Sequence, residues 1–449
     1  MGSWTSERVL SLAPDSASAS AGQALASAKK WSGTARSERS LWGLCQGSGK
    51  DPYQTRVDLS EPAFKCSCPS RKFPCKHGLA LLLLFAKDES SFKSQTEPGW
   101  VAEWLDARRE RVEKQTAKAD AAPKPVDTEA QAKRAAQRES RVQDGIATCR
   151  IWLDDLARRG LAAAQQEKTA YWSNLAARMV DAQAPGIARH VADLPMLIAS
   201  GEGWEIRTLD ALGRLHLLLK AGEQLATLPP DLALDVRTTL GWNQSKDEAL
   251  AGDGIADRWL AVGQIVEDDD RVRVRRTWLV GRKTRRRALL LDFAAGAAPL
   301  PATAASGTEF DAELAFYAGR LPLRAQPKSR GEAAPLGPDL DSVADASIND
   351  ALHRYAEALG ANPWLPRWPL LRRPTGLTRV ADRWCLLDAH NHALPIQPLF
   401  AAGPGLWRLL AISGGRPVTI LAEWDGIVAL PLSAIDTDGL HDLAPRWAS

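Results

Sequence analysis

Cysteine is scarce in this chain, with 6 in 449 residues. Cys45, Cys149 and Cys385 stand singly, so no disulfide framework is indicated and a reducing, cytoplasmic setting is expected. Long apolar runs are also missing. The run from Leu79 to Ala86 falls far short of the ~18 residues that a membrane-spanning helix needs. The opening MGSWTSERVL lacks the basic start and long apolar core of a secretory signal. Neither sign of charge dominates. Lys and Arg total 57 against 54 Asp and Glu, a net charge of +3, too mild to mark a nucleic-acid-binding protein by charge alone.

Catalytic signatures are equally thin. No paired carboxylates, Ser-His-Asp set or nucleotide motif stands out, and the chain is expected not to be an enzyme. Gly49-Lys50 invites a phosphate-loop reading. That loop needs Gly where Leu44 stands and Ser or Thr where Asp51 stands, so Gln46–Asp51 reads as a turn. Cys385, Asp388, His390 and His392 lie close in sequence and suit either a nucleophile or a second metal. A hairpin turn, where Asp, Asn and His are ordinary, is the preferred reading of that stretch. His190 and His216 are isolated and read as surface or satisfied core residues.

What the chain does have is FKCSCPSRKFPCKHGLALLLLFA, residues 64–86. Cys66 and Cys68, two apart on extended backbone, point to one side and can aim both sulfurs at one ion. Pro69 ends the strand, and six residues carry the chain round to Cys75 and His77 at the start of a helix, where Pro74 is tolerated. Three thiolates and one neutral imidazole fill a tetrahedron and leave no place for water, the pattern of a structural zinc site. The loaded cluster would carry about one negative charge. Lys65, Arg71, Lys72 and Lys76 surround it, partly neutralising it or forming a small basic face.

The order Cys-x-Cys, gap, Cys-x-His resembles the SWIM zinc finger, a small ββα fold. LWGLCQGSGKDPYQTRVDL supplies the hairpin and GLALLLLFA the helix. The resemblance implies Cys66, Cys68, Cys75 and His77 as ligands of one zinc ion, and DNA or protein binding. The whole chain also resembles a bacterial SWIM-finger family encoded near MoxR-type ATPases and von Willebrand A-domain proteins, which implies a protein partner of that kind. Heavy use of Ala and Arg suggests a GC-rich bacterial genome, in which the loose myristoylation match at Met1-Gly2-x-x-x-Ser6 means little.

In chain order, residues 1–40 read as a helical segment with Asp15 as N-cap, and 41–113 as the finger plus a packing helix that opens at Glu97–Trp100. On that helix Trp100, Val101, Trp104, Leu105 and Val112 share one face. Residues 114–140, with Pro123-Lys124-Pro125 and no large apolar residue, read as a linker. Residues 141–250 read as all-helical, a bundle or short array, with stripes at Ile146, Cys149, Leu153 and Leu156, at Trp172, Leu175 and Met179, and at Leu212, Leu215 and Leu219. Residues 251–449 read as β-rich, a sandwich or small barrel. There the strands include Phe310–Leu323 as a strand, turn and strand, and Leu406–Ile412, with loops at 294–308 and 325–345.

Between Arg271 and Arg287 basic residues crowd without an acid. The ridge reads first as a solvated sheet face, second as a phosphate-binding surface. The expected whole is an α+β multidomain protein: a zinc-bound ββα finger, an all-helical middle and a β-rich C-terminal region. Its expected role is protein–protein contact. The alternative is DNA or RNA binding through Lys65, Arg71, Lys72 and Lys76, or through Arg273, Arg275, Arg285 and Arg286 of the ridge.

Overall fold

Alternation in YQTRVD and the apolar block after His77 build the finger's two layers. In the computed structural model the described residues are all but 1–3, 5, 11, 13–15, 48–50, 60–62, 71–73, 121–127, 270–271, 296–297, 299, 302–303, 338 and 446–449. The chain forms two compact units. One holds residues 1–126 with 294–299, and the other 127–293 with 300–449.

The first unit runs α1 (Ser6–Leu10), α2 (Ser16–Leu25), β1 (Trp31–Arg36), β2 (Ser40–Cys45), β3 (Tyr53–Asp58), β4 (Ala63–Cys66), α3 (Lys76–Lys87), β5 (Lys93–Ser94) and α4 (Gly99–Asp120). The sheet order is β4-β3-β2-β1-β5, antiparallel except for β1 with β5. Strand alternation divides its side chains between two faces. Trp31, Leu41, Val57 and Phe64 pack on Leu79, Leu82 and Leu83 of α3. Ala35 and Trp42 pack on Val101 and Leu105 of α4. Helix α4 therefore extends the small core of the finger, as its apolar face implies. Arg56, next to Val57 and so on the α4 face, lies over the indoles of Trp100 at 5.0 Å and Trp104 at 5.8 Å.

Residues 1–40 are not simply helical. Trp31–Arg36 joins the sheet as β1, and its alternation is hidden by a register shift and by Gly33 at φ +60°. Asp15, the expected N-cap, lies outside the described residues, as do Gly49 and Lys50. The break between the two units, between residues 126 and 127, falls within the expected linker, but that linker is partly helical. Helix α4 runs to Asp120 and α5 (Thr128–Arg159) begins eight residues later, so helix enters 114–140 from both ends. Ala, Glu, Lys, Gln and Arg are good helix formers whether or not a large apolar residue is present. Pro123, Lys124 and Pro125 lie outside the described residues.

The second unit opens with α5, α6 (Leu161–Gln165), α7 (Thr169–Asp181), α8 (Pro185–Ile198), α9 (Trp204–Glu223), α10 (Pro230–Leu240) and α11 (Lys246–Ala251). The expected stripes meet in one core: Ile146, Cys149 and Leu156 of α5, Trp172 and Met179 of α7, and Leu215 and Leu219 of α9. Trp364 joins that core from the β-rich part, its indole N–H donating to the Arg214 carbonyl at 3.0 Å.

The β-rich part contains β6 (Gly254–Asp269), β7 (Val272–Gly281), β8 (Arg287–Ala295), β9 (Thr308–Phe316), β10 (Ala325–Arg330), β11 (Ala334–Pro335), α12 (Ile348–Ala361), β12 (Trp368–Val380), β13 (Arg383–Leu387), β14 (Ala393–Pro395), α13 (Pro398–Ala402), α14 (Pro404–Ser413), β15 (Val418–Trp424), β16 (Ala429–Asp436) and β17 (Gly439–Asp442). One sheet is ordered β10-β9-β6-β7-β8 with β11 on β9, and the other β14-β13-β12-β15-β16-β17. They pack as a sandwich. Leu260, Val262 and Trp278 of the first share a core with Leu371, Leu421 and Leu432 of the second. At Gly263 a Cβ would sit 2.4 Å from the Leu421 Cδ2, so a larger residue there would force that side chain to shift.

Three expectations here are corrected. Leu406–Ile412 is helix α14, not strand. Its buried residues Leu406 and Leu409 are three apart, Pro404 stands in the first turn, and Gly414 caps the end at φ +55°. Ala325–Arg330 is strand β10 rather than loop. Pro327 is accommodated because β10 is an edge strand with a register shift there. Phe310–Leu323 holds one strand and not two, since β9 ends at Phe316 and pairing resumes at Ala325. No helix among the described residues is long and apolar enough to cross a membrane.

Candidate metal centre

Four ligand atoms, the sulfurs of Cys66, Cys68 and Cys75 and a ring nitrogen of His77, lie within 4.8 Å of one another. Cys66 ends β4, Cys68 follows in the bend, Cys75 caps α3 and His77 lies in its first turn. The local structure is set by short-range rules. Ser67 exchanges two 3.0 Å hydrogen bonds with Gln54, which holds the bend against β3. The Cys75 sulfur accepts from the Gly78 N–H at 3.5 Å, replacing the usual capping oxygen. Gly78 itself is required, because a Cβ there would lie 2.9 Å from the Phe64 ring and push the helix start away from β4.

The electrostatics favour a cation. Cys75 and His77 are buried, and Cys66 and Cys68 are half-buried. Hydrogen bonds from Cys75, then His77 and Thr55, hold the Cys66 thiol down to about 3 against its burial. The Cys75 thiol, bonded to that thiolate and buried, is pushed up, and burial raises Cys68. A divalent ion that binds here would displace the thiol protons, so affinity rises with pH. The positive α3 N-terminus favours the thiolate form of Cys75, the form that ligates a metal. Cys66 Sγ and His77 Nδ1 are 3.8 Å apart, close to the roughly 3.5 Å expected for sulfur and nitrogen on one tetrahedral zinc. All six cysteines are free thiols. The cluster fits one structural zinc ion, with no ligand position left for chemistry.

Surrounding contacts escaped the sequence reading. Thr55 Oγ1 lies 3.2 Å from Cys66 Sγ, and the Tyr53 ring packs 4.9 Å from the His77 ring. Both sit on β3, where Thr55 is paired with Cys66 across the strands. Alternation identifies the strand but does not supply that register.

Of the finger's basic residues, Lys65 and Lys76 are exposed beside the cluster, while Arg71 and Lys72 lie outside the described residues. The Arg271–Arg287 ridge is not one surface. Arg271 lies outside the described residues. Arg275 binds Asp292 at 2.7 Å, Arg282 binds Glu309 at 2.7 Å and Arg287 binds buried Asp345 at 2.5 Å. Arg276 sits between Glu267 and Glu423, and Trp278 and Arg367 also reach Glu423. Burial works against the Arg276 charge, but the two carboxylates more than offset it and raise its pKa. Arg273 lies on β7, half-buried, and Arg286 lies over the Phe316 ring at 4.4 Å, which leaves Lys283 and Arg285 exposed at the turn. Glu267 belongs to the acidic run just before the ridge, whereas Glu309, Asp345 and Glu423 come from parts of the chain distant in sequence, which a local charge count does not register.

At the second cluster, Asp388 is buried and organises the β13–β14 turn. Its oxygens accept from the N–H groups of His390, His392 and Ile348 at 2.8 to 2.9 Å. Desolvation raises its pKa, but these donors outweigh it and bring the carboxyl to about 2. Cys385 faces elsewhere, its sulfur donating to the Arg383 carbonyl at 3.7 Å, and burial raises its pKa. The turn reading of this stretch agrees with its geometry.

Residues 56–85 match the family model of the SWIM zinc finger, and residues 137–240 match that of the SWIM-associated four-helix bundle domain. Together the matches support a SWIM-type family. The first contains all four ligands and runs from within β3 to within α3, and the second runs from within α5 to the end of α10. No curated protein and no solved structure matches the chain.

Proposed function

We propose that this chain is a non-enzymatic, cytoplasmic interaction protein of bacterial origin that holds a protein partner. The resemblance stated above makes a MoxR-type ATPase, or the von Willebrand A-domain protein encoded with it, the first partner to test. The observation that carries the reading is the outer face of α9. Ile206 is 77% exposed and Leu209 63% exposed, and Leu217 follows on the same face. Gly213 between them has nothing within 4 Å of its Cβ position. A bundle helix of an isolated domain keeps this face polar. Apolar side chains in water at helical spacing suit an amphipathic partner helix laid alongside.

The internal pairing of Arg275, Arg276, Arg282 and Arg287 weighs against a phosphate-binding ridge. The non-enzyme reading rests on the sequence, in which no paired-carboxylate, Ser-His-Asp or nucleotide motif stands out. Nucleic-acid binding is kept as the second reading on the exposed Lys65 and Lys76 beside the zinc cluster.

The test is co-purification of the tagged full chain with the ATPase and A-domain proteins. The expected result is a stoichiometric complex that Ile206→Glu with Leu209→Glu weakens at least tenfold, with zinc content unchanged. A DNA or RNA shift that falls steeply with salt, and is lost in Lys65→Ala with Lys76→Ala, would instead select the second reading.

A further inference from the structure

Asp388, His390 and His392 stand outside the finger, and their ligand atoms also gather within 4.8 Å. We propose that they form a second divalent transition-metal site, with zinc as the ion it takes. The chemistry is a carboxylate with two imidazoles, a borderline donor set that zinc, nickel, cobalt and copper accept.

The geometry supports an ion bridging three groups. His392 Nδ1 lies 3.3 Å from Asp388 Oδ2, about the separation of two ligands on one tetrahedral ion with bonds near 2.0 Å. His390 Nδ1 lies 3.9 Å from the same oxygen and closes on the ion by a small side-chain rotation. The two rings already lie near parallel, 5.9 Å apart at an interplanar angle of 26°. His390 is 63% exposed at its side chain, so an ion can enter from solvent without opening the fold.

The turn is preorganised for this. Asp388 is immobilised by the N–H groups of His390, His392 and Ile348, so the carboxylate is held before the ion arrives. Asn349, in the first turn of α12, lies 3.0 Å from His392 Nε2. An ion on Nδ1 requires the neutral ring's single proton to stand on Nε2, a change of tautomer with no net proton released. Asn349 then accepts from that Nε2–H through its amide oxygen after a flip, the outer-shell support usual for a ligating imidazole. Three protein ligands leave at least one position for water, unlike the finger. Binding also ties the β13–β14 turn to α12, through Asp388 on Ile348 and His392 on Asn349.

The full chain, stripped with a chelator under reducing conditions and then titrated with zinc against a colorimetric indicator, should bind two equivalents. His390→Ala with His392→Ala should bind one. With cobalt, the equivalent retained by the double variant should carry the thiolate charge-transfer band, and the equivalent it loses should lack that band. A wild-type stoichiometry of one overturns the proposal, as does a double variant that still binds two. Loss of the thiolate band with the other equivalent retained would instead indict the finger assignment, so the two sites fail separately.

Discussion

The finger and the C-terminal sandwich each bury polar chemistry, and they satisfy it in opposite ways. In the sandwich, Glu423 receives Arg276, Arg367 and the Trp278 N–H, Asp345 receives Arg287, and Asp388 receives three backbone amides. Each charge has an internal partner. In the finger, three thiols and an imidazole gather within 4.8 Å of one another, with exposed Lys65 and Lys76 beside them. The finger's core wraps α3, which packs on the sheet and on α1 and α2, whereas the sandwich shares a core across two sheets and α12. The contrast predicts that the fold of the finger is conditional on an external ion and that of the sandwich is not.

The sharpest way to break this contrast is to remove the ion. Chelation, or Cys75→Ser, should unfold residues 40–90, because binding free energies on the order of 10 kcal/mol are folding energy in such sites. Hydrogen exchange should then show loss of protection in β2 to α3 with β15 and β16 unchanged. A zinc-replete, fully protected Cys75→Ser protein would contradict the ligand assignment.

The converse experiment strikes the sandwich from inside. Glu423→Ala leaves half-buried Arg276 with only Glu267 and the buried Trp278 N–H without its acceptor, and an unmet buried polar group costs roughly 1–3 kcal/mol. Urea unfolding of the sandwich should show it, with zinc content unaffected.

Acid separates the two regions again. The Asp388 carboxyl is depressed to about 2 in the folded chain, against about 3.9 in an unfolded one. Its stabilisation is therefore complete above that unfolded value and is lost as pH falls through the folded one, about 2 kcal/mol in all. The finger must give up zinc at milder acidity, since protons compete for its thiolates. Zinc release followed against pH should precede unfolding of the sandwich. A smaller effect is expected at the back of the finger. Arg56→Ala removes a buried guanidinium from Trp100 and Trp104 and should cost about 1–2 kcal/mol, read as faster exchange in α4.

Much of this contrast was legible before any coordinates. Ligand type and spacing carry the zinc site, because Cys-x-Cys on a strand and Cys-x-His at a helix start are local geometry. The α5, α7 and α9 stripes were legible for the same reason. The failures have one cause. Leu406–Ile412 is a short apolar run whose period is ambiguous, Trp31–Arg36 carries a register shift, and Pro327 sits in an edge strand. In each, the environment outweighed the local pattern.

By itself, the chain's order of residues determined which four side chains meet at the finger, and that the middle is helical and the end β-rich. Only the tertiary structure decided that Thr55 faces Cys66, that Arg276 meets Glu423, and that Asp388 reaches α12. Spacing within a few residues is governed by backbone dihedrals that each segment carries with it. Partners far apart in sequence are brought together by strand register and by the packing of one layer on another, which no single segment contains.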